Sequence, residues 1–72
     1  MSISLNIRKH RKRLNLSQKE LGVKLCKTEA AVRMWELGKN EPPLSTSIQL
    51  ADIFDLSLDE LVGRNRLRGK VN

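Results

Sequence analysis

One cysteine among 72 residues sets the first limit on the fold. Cys26 has no intrachain disulfide partner, so packing alone must hold the chain together, a condition that suits a reducing compartment better than secretion. A cytoplasmic protein is expected. Cys26 and His10 are also the only soft metal ligands in the sequence, fewer than the four of a structural zinc site or the roughly three of a catalytic one. Neither a metal nor a cofactor is expected. A chain of this length buries only somewhat over ~60% of the surface its unfolded form exposes, which leaves one modest core and no separate substrate domain, and argues against an enzyme. Residues 1–7 lack the ~7–15-residue apolar run of a signal peptide, and no stretch approaches the ~20 apolar residues of a membrane span.

The charge is unevenly placed. Residues 1–41 hold ten bases against four acids, a net +6. Residues 42–62 hold no base and the four acids Asp52, Asp55, Asp59 and Glu60, and residues 63–72 add Arg64, Arg66, Arg68 and Lys70. A basic half beside an acidic one suits a polyanion, because Lys and Arg release counterions condensed on phosphates. Charge alone leaves nucleic acid, an anionic membrane and a merely solvated surface all open.

Five helices and no strand are expected. Leu5, Ile7, Leu14 and Leu16 lie among cations in a stretch without breakers, giving a first helix from about 4 to 14, with Asn15 suited to its left-handed end. Ser17-Gln18-Lys19-Glu20 has the reciprocal capping form and opens a short second helix carrying Leu21 and Leu25. Thr28 caps a third, from Glu29 to about Leu37, which Gly38 stops. At about 100° per residue, Ala31, Val32 and Trp35 fall on its packing side, and Glu29, Ala30, Arg33, Met34 and Leu37 on its solvent side. Lys39 to Pro43 reads as a turn. Ile48, Leu50, Ala51 and Phe54 give a fourth helix its apolar stripe, and Ser57-Leu58-Asp59-Glu60 opens a fifth with Leu61 and Val62, closed by Gly63. Residues 1–62 are thus expected to form one domain and 63–72 a basic, flexible tail.

The ordered set Ile7-Arg8-x-x-Arg11, Leu16-Ser17-Gln18-x-Glu20-Leu21, Val32-x-x-Trp35-Glu36-x-Gly38-Lys39, Pro42 and Leu50-Ala51-x-x-Phe54-x-Leu56-Ser57-Leu58-Asp59-Glu60-Leu61 resembles the lambda-repressor/Cro-like family, of the xenobiotic-response-element type. It covers residues 5–62, and its specificity lies in the order, since each piece alone is weak. The resemblance implies an all-α, compact five-helix DNA-binding domain with a helix-turn-helix at helices 2 and 3. It further implies a transcription regulator of a bacterium or phage that binds specific double-stranded DNA, most often as a dimer, with helix 3 in the major groove.

Carried over by position, the resemblance places Glu29, Ala30, Arg33 and Met34 at base edges. Gln18 and Thr28 fall at phosphate-contacting or helix-orienting places, and Lys39 and Asn40 in the loop that grips the backbone. Arg33 could reach guanine O6 and N7, or a phosphate, or water. Met34 could press on a thymine methyl or simply be exposed. Arg11 and Glu36 match an ion pair of this family, which makes Arg11 a scaffold residue. Trp35 is read as packing, because duplex bases are not exposed to it and one Trp makes no stacking platform. Leu58, Leu61 and Val62 are the dimer-interface candidates, with a core role open for Leu61.

Several residues depart from the family pattern: His10, Gly22, Cys26, Lys27 and Ser47. Gly22 should cost helix 2 close to ~1 kcal/mol relative to Ala, and Cys26 loses glycine's easy access to positive φ. Glu29, where a neutral polar residue is usual, would specify cytosine through N4, cap its own helix, or lower affinity. A repressor acting as a homodimer on a two-fold operator is therefore the first expectation, with a regulatory protein partner possible. The alternative is a protein-interaction module, such as an antitoxin or antirepressor-like adaptor with weak or secondary DNA binding. An anionic membrane is not expected as a partner.

Overall fold

A computed structural model describes residues 2–64, which form α1 (Ile3–Arg13), α2 (Gln18–Lys24), α3 (Glu29–Glu36), α4 (Leu44–Phe54) and α5 (Leu58–Val62). No strand occurs among the described residues. The tail positions Arg66, Arg68 and Lys70 lie outside them.

Side-chain caps start four of the helices. Ser17 and Glu20 exchange hydrogen bonds at α2, the Glu20 N–H donating to Ser17 Oγ at 2.9 Å and the Ser17 N–H to Glu20 Oε1 at 2.8 Å. Ser57 and Glu60 repeat the exchange at α5, at 3.0 and 2.8 Å. Thr28 Oγ1 accepts from the Ala31 N–H at 3.0 Å. Helix α1 starts one residue before the expected position because Ser2 caps it, its hydroxyl accepting from the Leu5 N–H.

All five helices stop in one way. Two amides beyond each helix turn back onto its last carbonyls, as where Lys27 donates to Gly22 O at 2.8 Å and Cys26 to Val23 O at 3.1 Å. This closure needs a left-handed residue, and Asn15, Cys26, Gly38, Asp55 and Gly63 supply it, with φ of 59°, 58°, 76°, 60° and 83°. Cys26 carries a Cβ in a conformation that costs an L-residue about 1–2 kcal/mol. Replacing it with Gly removes that strain and adds freedom to the unfolded chain. The expected net result is a gain of about 0.5–1 kcal/mol, read as a higher urea midpoint at unchanged slope.

The penalty expected for Gly22 is offset by packing. A Cβ there would stand 3.0 Å from Lys27 O and 3.1 Å from Thr28 C and O, all backbone atoms. The missing side chain lets the turn lie directly on α2, which draws the start of α3 against it.

The core consists of Ile7, Leu21, Leu25, Val32, Trp35, Leu50, Ala51, Phe54 and Leu61, with Leu16, Ala31 and Leu56 packed at its edge. Helix α1 runs through the centre, touching α3, α4 and α5, while α2 packs on α3. Its side chains also close two other helices: Asn6 Nδ2 donates to Leu61 O at 2.9 Å, and Arg13 Nη2 to Phe54 O at 2.7 Å.

One apolar expectation fails. Ile48 is 47% exposed. The inward stripe of α4 is Thr46, Ser47, Leu50, Ala51 and Phe54, because Ile48 sits two residues, about 200° of helix, from Leu50. Leu5 and Leu14 face outward, while Ile7 of α1 is fully buried.

Candidate nucleic-acid interface

Helix α3 is positioned by its inner face. Val32 and Trp35 are buried against α1 and α2, and Ala31 is half-buried. On the opposite face Glu29, Ala30 and Arg33 are exposed, with Glu29 and Arg33 one turn apart. Met34, expected beside them on the solvent side, is half-buried. Its contact capacity is therefore smaller than that of its neighbours. Thr28 caps the near end of α3, and Lys39 and Asn40 are exposed just past the far end. Lys39 is also fixed through its amide, which donates to Met34 O at 3.0 Å.

Beneath this face lies a polar knot joining three helices. Arg11 of α1 forks onto the Glu36 carboxylate of α3, through Nε at 2.6 Å and Nη2 at 3.0 Å. Its third donor, Nη1, reaches Leu16 O at 2.8 Å. Gln18 of α2 donates from Nε2 to Glu36 Oε1 at 3.1 Å. The Arg11 and Glu36 side chains are only 11% and 5% exposed. The hydrogen bond to Glu36 holds the Arg11 pKa above its ordinary value, against the opposing effect of burial. The guanidinium therefore stays charged, and the Gln18 bond ties α2 to α3.

The apolar candidates of α5 separate. Leu61 is fully buried and belongs to the core, so it offers nothing to a second molecule. Leu58 and Val62 are 36% and 38% exposed. They line an open groove of about 600 Å³ together with Ile3, Trp35, Pro42 and Leu44. Sequence reading missed Leu44 and Ile3 because both stand at helix starts, where periodicity gives no face. Cys26 is exposed. Among the described residues no group of three or more His, Cys, Asp or Glu is placed to hold a metal ion, and no helix is long and apolar enough to cross a membrane.

A capped helix, a tight turn and a second helix turning a polar face outward, braced by three more helices, define the helix-turn-helix class of DNA-binding domains. The helix-turn-helix family model matches residues 7–61. The chain belongs to the lambda-repressor/Cro-like helix-turn-helix family. It is similar to YqaE of Bacillus subtilis (strain 168), named an uncharacterized HTH-type transcriptional regulator, at 41% identity over 59 residues, which cover 82% of this chain. Those residues span about half, 51%, of the relative. Among solved structures the chain resembles the P22 c2 repressor in complex with a synthetic operator, with a TM-score of 0.83, 26% identity, and coverage of 90% of this chain and 98% of that one. A transcriptional regulator from Listeria innocua superposes with a TM-score of 0.84 at 28% identity, covering 89% of this chain and 60% of that one.

Proposed function

We propose that the chain is a sequence-specific repressor that binds a two-fold operator in double-stranded DNA as a homodimer, with α3 in the major groove. One observation carries this reading. The polar face of α3, with Glu29, Ala30 and Arg33, is free and exposed, while Val32 and Trp35 fix its other face to the scaffold. In this reading Arg33 and its neighbours Glu29, Ala30 and Met34 meet base edges, while Gln18, Thr28, Lys39 and Asn40 face phosphates. Leu58 and Val62, with the groove they line, are the surface assigned to the second copy. The setting is cytoplasmic. Repression needs only occupancy of the site, and the family membership and the likeness to an operator-bound repressor support it.

Selection from a random duplex pool at two salt concentrations tests the proposal. The expected result is a two-fold symmetric site with half-sites ~34–36 Å apart and affinity that falls steeply with salt. Arg33→Ala is expected to relax one position in each half-site, by about 1–3 kcal/mol or roughly 5–150-fold. Salt-sensitive binding without a selected sequence would overturn the operator reading and favour the protein-interaction module, for which the exposed carboxylate of Glu29 on the α3 face is the supporting feature.

A further inference from the structure

The corner where α1 meets the end of α4 holds a contact outside the face proposed to meet DNA. Phe54 closes α4, so its carbonyl has no partner within the helix, and it accepts from Arg13 Nη2 at 2.7 Å. The Nε of the same guanidinium donates to His10 Nδ1 at 3.1 Å. The His10 ring in turn lies 5.6 Å from the Phe54 ring, inclined by 34°. A guanidinium has donors only. Nδ1 must therefore present a lone pair, which requires a neutral imidazole with its proton on Nε2.

We propose that His10, Arg13 and the Phe54 carbonyl form a pH-sensitive latch, in which neutral His10 holds Arg13 on the end of α4 and protonated His10 releases it. Protonation sets an N–H against an N–H at the 3.1 Å contact and places a second cation beside the guanidinium. The carbonyl then loses its fixed donor, and the α1–α4 corner loosens.

The surroundings favour the neutral form. Burial is the largest influence on His10, followed by the cations Arg13 and Lys9 of α1, with Glu60 of α5 acting the other way. Helix α4 contributes the ring and carbonyl of Phe54. The folded-state pKa accordingly lies below the ordinary 6.5. A pKa depressed by folding gives stability that is fully present above 6.5 and is lost as pH falls through the folded value.

The test is a proton NMR titration of His10 together with thermal melts of the intact chain between about pH 5 and pH 8. His10 is expected to titrate below 6.5 in the wild type, and its pKa should move upward in Arg13→Met, where one cation is gone. His10→Gln keeps an acceptor but does not titrate. Relative to it, the wild-type melting midpoint is expected to drop by about 4–8 °C on acidification, the scale on which a domain of this size registers one lost hydrogen bond. The latch is overturned by a His10 that titrates at or above 6.5, by a pKa unmoved in Arg13→Met, or by an equal acid-side loss in His10→Gln.

Discussion

Replacing Arg11 with methionine is expected to destabilise the domain by about 3–5 kcal/mol, because it strands a buried carboxylate. Glu36 is 5% exposed and takes two of its hydrogen bonds from Arg11. After the substitution only the Gln18 amide remains on it among the bonds described. A domain of this length holds roughly 4–11 kcal/mol in total, so the variant loses a large share and urea denaturation should show it. Replacing both partners, Arg11→Met with Glu36→Leu, removes the charge and its desolvation together. That double variant is expected to recover most of the loss, to about neutral or better. A mutant cycle then separates the coupling of the pair from the value of the charges. The functional readout differs from the stability readout. The knot is what ties α1, α2 and α3 into one angle, so a stable double variant should bind selected duplex more weakly than wild type, with Gln18 left unanchored.

Truncation of Phe54 to alanine is the other large effect. Phe54 is 1% exposed and lies where α1 and α4 meet, with the His10 ring beside it. Removing a buried aromatic ring costs about 3–5 kcal/mol, the transfer term plus the cavity left behind. At the lower end of the stability range above, the chain would be largely unfolded. Trp35, the single tryptophan and 5% exposed, reports the transition through its fluorescence. Phe54→Leu leaves less empty volume and is expected to lose about half as much. An equal loss in both variants would place the effect in the ring contact with His10 rather than in volume.

Much of this fold is written in short signals. Ser17 with Glu20 and Ser57 with Glu60 act within four residues, so their helix starts are legible without tertiary context, as is the left-handed end at Asn15. The outward face of α3 follows from its period for Glu29, Ala30, Arg33 and Leu37, but not for Met34, which is half-buried. What eluded the sequence depends on distant partners. Ile48 looked apolar enough for the core, yet the registry of α4 is set by Phe54 and Leu50, and Ser47 and Thr46 are buried instead. Gly22 looked like a weak point until the backbone of residues 27 and 28 was found against it. Leu61 was ambiguous because a five-residue helix shows hardly more than one turn of pattern. Gln18 stays open between a phosphate contact and a helix-orienting place in the sequence, since its bond to Glu36 spans 18 positions.

The shared way in which the helices stop also bears on how the chain can vary in length. The closure after α2 counts residues: Lys27 must reach Gly22 and Cys26 must reach Val23, and Thr28 then caps α3 at once. One residue inserted between Leu25 and Cys26 would displace both backbone bonds and is expected to turn the face of α3 away from its scaffold. The segment from Asn40 to Pro43 is counted less strictly, since α4 begins without a side-chain cap, although the buried Pro42 carbonyl accepts from Ser47 Oγ at 3.5 Å. A change of length is therefore expected to cost less between α3 and α4 than in the unit from α2 to α3, which behaves as a ruler of fixed length.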